Sequence, residues 1–253
     1  MPELITDDGL RIAYDVWGDA GDTPPIVLHH GFAANAFVNW VRPGLVDALV
    51  GAGHQVVALD ARGHGQSEKP HEPARYGHGR MADDVEQLVD HLGFARYDLA
   101  GYSMGGVVSA TVASRDSRVN RLVLGGVGGA LVNRELVGRR EQRMARVVES
   151  LEATDPSQVS DPSGAAFRNF AGATGADLRA LAAVARGGGR ERIAVEKITA
   201  PTLVLVGDDD ALAQRADLLA GAIKGATLTV VPGNHLSAVA KPEFRDALVA
   251  FFA

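Results

Sequence analysis

No cysteine occurs anywhere in the 253 residues. Its absence excludes a disulfide framework, a thiolate nucleophile, an iron–sulfur cluster and any zinc site built on sulfur. Nucleophilic chemistry in this chain therefore falls to an atom other than sulfur. An excess of positive charge is missing too. Lys and Arg number 25 against 31 Asp and Glu, a formal charge of −6, which points away from a nucleic-acid partner. No apolar run approaches the ~20 residues of a membrane helix. The opening Met1–Asp8 stretch is acidic, without the charged-then-apolar order of a signal peptide. The expected compartment is cytoplasmic, with no membrane span. Also lacking are His-Glu-x-x-His, the Gly-x-x-x-x-Gly-Lys phosphate loop and a Gly-x-Gly-x-x-Gly fingerprint after a strand. Neither a metal nor a cofactor is expected.

What is present is an ordinary globular composition, 46% hydrophobic and 22% charged. The length suits one domain over residues 1–253 and needs no covalent staples. Short apolar runs recur along it. Residues 10–17 alternate at period two, as in a half-exposed strand. Ile26–Leu28, Val56–Leu59, Tyr97–Ala100, Arg121–Leu124, Thr202–Val206 and Leu228–Val231 are continuous, as in strands covered on both faces. Between them lie helical spacings: Met81, Val85, Leu88, Val89 and Leu92 within 79–92, and Phe244, Leu248, Val249 and Phe252 at the end. The alternation predicts an α/β fold, a mostly parallel central sheet with helices on both faces.

Residues of about 130–197 break that rhythm. They hold no convincing strand, and Leu131, Val132, Leu136, Met144, Val147, Val148 and Leu151 suit one or two helices. A helical insert between two strands predicts a lid over a pocket. Arg139, Arg140, Arg143 and Arg146 within it read as a solvated face near Glu135 and Glu141, with anion binding the alternative. Few aromatics (6%) and an insert rich in Ala and Val, with Phe167 and Phe170, suggest an aliphatic pocket.

The strongest chemical signal is Gly101-Tyr102-Ser103-Met104-Gly105, set between a strand-like run and a helix-like stretch. This is Gly-x-Ser-x-Gly in its strand–turn–helix context. A sharp turn lifts the Ser103 hydroxyl clear, and the glycines let neighbouring backbone pass closely. Serine needs a base, and His235 follows the last strand-like run in Pro232-Gly233-Asn234-His235. The base needs an orienting carboxylate. Asp208, Asp209 and Asp210 follow the Thr202–Val206 run, and the residues alone leave open which of them turns inward. An oxyanion needs donors: the N–H of Phe32, after His30-Gly31, and the N–H of Met104, next after the serine, suit that role.

Taken in chain order, His30-Gly31-Phe32, Asp60–Ser67, the Ser103 turn, the Asp cluster and His235 resemble the α/β-hydrolase family over essentially the whole chain. The resemblance implies Asp210 as the acid, Asp208 as structural and Asp209 as the second candidate. It also implies architectural roles for Asp60, Arg62 and His64, and a lid after the sixth strand. The activity implied is that of a serine hydrolase cleaving a small carboxylic ester, lactone or thioester through an acyl-enzyme, with Ser103, Asp210 and His235 catalytic and a small acyl molecule as partner. C–C bond hydrolases and cofactor-free haloperoxidases or perhydrolases share that triad. A small-molecule receptor retaining it is the reading of another class.

Overall fold

The computed structural model describes residues 1–188 and 192–253. In chain order it runs β1 (Glu3–Ile5), β2 (Arg11–Trp17), β3 (Ile26–His29), α1 (Leu45–Gly51), β4 (Val56–Leu59), α2 (His78–His91), β5 (Tyr97–Tyr102), α3 (Met104–Ala113) and β6 (Val119–Gly125). It continues through α4 (Arg134–Glu152), α5 (Pro162–Thr174), α6 (Leu178–Gly187), β7 (Thr202–Gly207), α7 (Ala216–Ala222), β8 (Thr227–Val231) and α8 (Pro242–Phe252). The sheet order is β1-β2-β4-β3-β5-β6-β7-β8. β1 and β2 are antiparallel to their neighbours and every later pairing is parallel. The expected mostly parallel α/β sheet is thus observed.

The continuous apolar runs have a simple cause. Successive side chains of a strand point to opposite faces, and both faces here are dry. Val27, Val57, Leu59, Leu99, Leu122, Leu124 and Val204 join one core. Their sequence neighbours Ile26, Leu28, Val56, Ala58, Ala100, Val123, Leu203 and Leu205 join the other. α2 and α3 cover the first face through Met81, Val85, Leu88 and Val108, and α1 and α8 cover the second through Leu45, Leu49, Phe244, Leu248 and Phe252. No helix among the described residues is long and apolar enough to cross a membrane.

Two expectations change in detail. β2 does not alternate: Ile12, Ala13 and Tyr14 are all buried, because β2 lies between β1 and β4 rather than at an edge. β1 itself, three residues long, is too short for periodicity to reveal. β8 is the opposite case. Its Leu228 and Val230 are exposed, because β8 is the outermost strand and pairs only with β7. Leu136, Met144, Val147, Val148 and Leu151 fall on the one helix α4, and among the described residues α5 and α6 follow it before β7. Asp161 and Asp177 each start a new one by accepting N–H bonds from its first turn.

β3 sits between β4 and β5, and the chain passes from β4 across β3 to reach β5. The loops after β3 and β5 therefore leave the sheet side by side, in opposite senses. In open α/β sheets such a divergence at the strand C-termini opens a crevice.

Candidate active site

The turn after β5 is the most constrained point of the chain. Ser103 holds φ 53° and ψ −111°, a conformation L-residues rarely adopt. A side chain on Gly101 would collide with the carbonyl of Gly105, and one on Gly105 with the carbonyl of His29. The two glycines therefore let α3 start directly above β3 and β5. The turn is pinned from β6, where the carbonyl of Gly125 accepts the Ser103 N–H at 2.8 Å.

The loops after β7 and β8 clasp each other. Asp208 N–H donates to the carbonyl of Val231 at 2.8 Å, Asp209 N–H to that of Gly233 at 3.1 Å, and Gly233 N–H to the carboxylate of Asp208 at 2.8 Å. This clasp resolves the three carboxylates. Asp208 and Asp209 are exposed, while Asp210 is buried and turned inward. Its carboxylate accepts from Leu212 N–H at 2.8 Å and Ala213 N–H at 3.1 Å, and it faces His235. Nδ1 of His235 lies 2.8 and 3.0 Å from the two Asp210 oxygens. A carboxylate only accepts, so Nδ1 carries the proton and Nε2 of the neutral ring is left as acceptor. The Ser103 hydroxyl lies 2.8 Å from that Nε2. Residues separated by more than a hundred positions are thus joined in one hydrogen-bonded line.

Phe32 and Met104 border the same space. No acceptor for either N–H is found among the described residues. The direction of the Phe32 N–H is set by His30. Nε2 of His30 accepts the Ala61 N–H at 2.9 Å, so its Nδ1 carries the proton and donates to the carbonyl of Gly31 at 2.8 Å. In a trans peptide C=O and N–H point oppositely, so anchoring the Gly31 carbonyl turns the Phe32 N–H the other way. His30 therefore fixes that direction. Tyr102 makes a further contact that the sequence did not single out. Its ring packs against His235 with centroids 5.6 Å apart, and its hydroxyl donates to the His235 carbonyl at 2.7 Å.

Asp60, Arg62 and His64 are buried beneath the site. Asp60 accepts from the N–H of Ala36 (2.8 Å) and of Gln66 (2.7 Å), tying the loop after β3 to the loop after β4. Arg62 binds both oxygens of Asp84 and both of Asp8. His29, His30 and His64 touch in sequence, the first pair tilted and the second edge-to-face, with centroids 5.7 and 5.1 Å apart. Burial pulls His29 down to about 4, and His30 and His64 down to about 3, so all three are neutral near pH 7.

Above Ser103 and His235 lies a cavity of ≈ 1150 Å³. Its walls include Met81, Val127, Val137, Met144, Phe167 and Val184, drawn largely from α2 and the helices between β6 and β7. Arg140 and Arg143 also line it, whereas Arg139 and Arg146 are exposed. The four arginines therefore do not form one solvated face. α4 presents positions 140 and 143 inward, on the side of Val137, Met144 and Val147.

Residues 24–149 match the family model described as the alpha/beta hydrolase fold. The protein RutD of Variovorax paradoxus, which carries the provisional name carbamate hydrolase, is 31% identical over 96% of this chain and 97% of its own. The crystal structure of a hydrolase from Pseudomonas aeruginosa superposes with a TM-score of 0.76 at 28% identity, covering 100% of this chain and 98% of that one. The enol-lactonase of Burkholderia xenovorans gives 0.73 at 25% identity over 99% of both chains. Sheet order, the strained serine turn and these full-length likenesses agree: the chain belongs to the alpha/beta hydrolase family.

Proposed function

We propose that this chain is a serine hydrolase that cleaves a small carboxylic ester or lactone through an acyl-enzyme. One observation carries the reading: His235 bridges the buried Asp210 carboxylate and the Ser103 hydroxyl, with 2.8 Å on each side. In the proposed reaction Oγ of Ser103 attacks the substrate carbonyl while Nε2 of His235 takes the hydroxyl proton. Asp210 holds the ring and stabilises the imidazolium. The oxyanion is received by the N–H groups of Phe32 and Met104. Collapse expels the alcohol, which takes the proton from His235. Water then gives a proton to the same Nε2 and attacks the acyl carbon, and Oγ leaves with that proton.

The helices α4, α5 and α6 act as a lid in this reading, the insert of about 130–197. They supply much of the apolar wall, which favours an acyl chain over a bare acetyl group. The likeness to an enol-lactonase supports extending the substrate class from open esters to lactones.

The test is hydrolysis of p-nitrophenyl esters from acetate to octanoate by wild type and Ser103→Ala. Turnover is expected to rise beyond acetate, and Ser103→Ala is expected to lower kcat by on the order of 10⁶. No turnover of any ester by a folded wild type, with a ligand-induced rise in melting temperature, would instead make the chain a receptor.

A further inference from the structure

The cavity-facing side of α4 carries charge among its apolar residues, with Arg140 and Arg143 beside Glu141 and Glu149. Val137, Met144 and Val147 line the cavity at helical spacing, and Arg140 stands among them, three residues after Val137 and four before Met144. A cation on an apolar stripe is expensive unless it is paired. Four neighbouring arginines are paired: Arg139 with Glu135, Arg146 with Asp161, Arg186 with Glu152 and Arg192 with Glu196. Arg140 makes no ion pair among the described residues. Its one side-chain partner among the described residues is His78, whose Nε2 accepts from the guanidinium at 3.2 Å. That partner brings no charge, because burial and then Arg140 itself pull His78 down to about 3. Burial also lowers Arg140 from its usual value, and only Glu141, the next residue on the helix, works against that. Most of the five guanidinium donors are therefore unused, in a wall shared with Ser103 and His235. Arg143, one turn further on, and Arg134 line the same wall without an ion pair among the described residues, and Glu141, Glu149 and Glu196 border it as well.

We infer that Arg140 is the anion-recognition residue of this cavity, and that the substrate is an ester or lactone carrying a carboxylate away from the bond that is cleaved. A guanidinium fork fits a carboxylate through two parallel bonds, and His78 holds the fork by its remaining edge. The apolar wall on either side takes the methylene chain between the two ends. The inference rests on Ser103 being the nucleophile only for the identity of the substrate. The anion subsite is open to test without turnover.

Monomethyl and dimethyl esters of the C5 to C8 straight-chain dicarboxylic acids supply matched anionic and neutral substrates. The quantity read is the ratio of kcat/KM for monoester over diester. In wild type it is expected to exceed about 10 for at least one chain length. It falls to about one or below in Arg140→Met, stays intermediate in Arg140→Lys, and is unchanged in Arg139→Met. A wild-type preference for the neutral diester at every length overturns the inference, as does a ratio preserved in Arg140→Met. Calorimetric binding of the free dicarboxylates to Ser103→Ala separates the two readings. Binding lost with Arg140→Met upholds the subsite even if no ester is turned over. Ester turnover without such binding upholds the hydrolase and overturns the subsite.

Discussion

The hydroxyl of Tyr102 donates to the backbone carbonyl of His235 at 2.7 Å. The residue before the proposed nucleophile therefore holds the proposed base, although 133 positions separate the two. β5 delivers both contacts at once, since Tyr102 ends that strand and Ser103 begins the turn. Replacing Tyr102 by Phe keeps the ring against His235 and Phe244 and removes only the bond. The expected result is a fall in kcat of about 10-fold, the effect of one hydrogen bond on the alignment of the base, with KM nearly unchanged. Steady-state kinetics with a melting curve check it, and an unaltered kcat would free Tyr102 of any positioning role.

The three adjacent carboxylates separate by mutation. Asp210→Asn leaves the shape but presents the wrong hydrogen-bonding group to Nδ1 of His235, and kcat is expected to fall by on the order of 10⁴. Asp209→Asn, at an exposed position, is expected to stay near wild type. Equal losses in both would mean that the loop as a whole, rather than Asp210, orients the base.

Strain at Ser103 predicts an unusual order of stabilities. Ser103→Ala and Ser103→Gly both lose the bond to His235, but only glycine relaxes a backbone at φ 53°. Glycine in place of alanine usually destabilises through the unfolded state. Here Ser103→Gly is expected to be more stable than Ser103→Ala by about 1 kcal/mol. Urea unfolding of the two inactive variants measures the difference, and the ordinary order would remove strain from the description of this turn.

Acid should unfold this protein early. An unfolded histidine titrates near 6.5, whereas His29 stays neutral in the fold down to about 4, and His30, His64 and His78 down to about 3. These are depressed native values, so the stability they contribute is present above pH 6.5. It is lost as pH falls from there towards 4, where the unfolded chain binds protons that the native one refuses. Between pH 7.5 and 5.5 each such histidine removes about 1.4 kcal/mol. Asp84, raised to about 6 by burial, has the opposite sign and offsets less than one histidine's share. A net loss on the order of 4 kcal/mol is expected from urea titrations at the two pH values. An equal or higher urea midpoint at pH 5.5 would contradict it.

The central sheet and the serine turn were readable in the sequence because each leaves a local trace. Strands dry on both faces read as unbroken apolar runs, and a collision-free elbow needs Gly101 and Gly105. Asp210, by contrast, could be told from Asp208 and Asp209 only through the family likeness, because the clasp that turns it inward joins two loops 25 residues apart. β8 looked buried because Leu228 and Val230 are apolar, and only its place at the sheet edge exposes them. Tyr102 carried no signal, and His30 was read only as part of His30-Gly31-Phe32, since their contacts are bonds to the backbone of other segments or of the next residue. Arg140 was legible as a residue interrupting a helical stripe, but charge composition grouped it with three neighbouring arginines. The direction of α4 against the sheet decides which of the four meet the cavity.

The central claim is that Ser103 is a nucleophile activated by His235. Its most direct measurement is the intact mass of the protein after brief exposure to a fluorophosphonate, followed by peptide mapping. The expected result is one phosphonyl adduct per chain, on the peptide holding Ser103, formed rapidly in wild type and abolished in both Ser103→Ala and His235→Ala. An adduct on another residue, or labelling at the wild-type rate without His235, would contradict it.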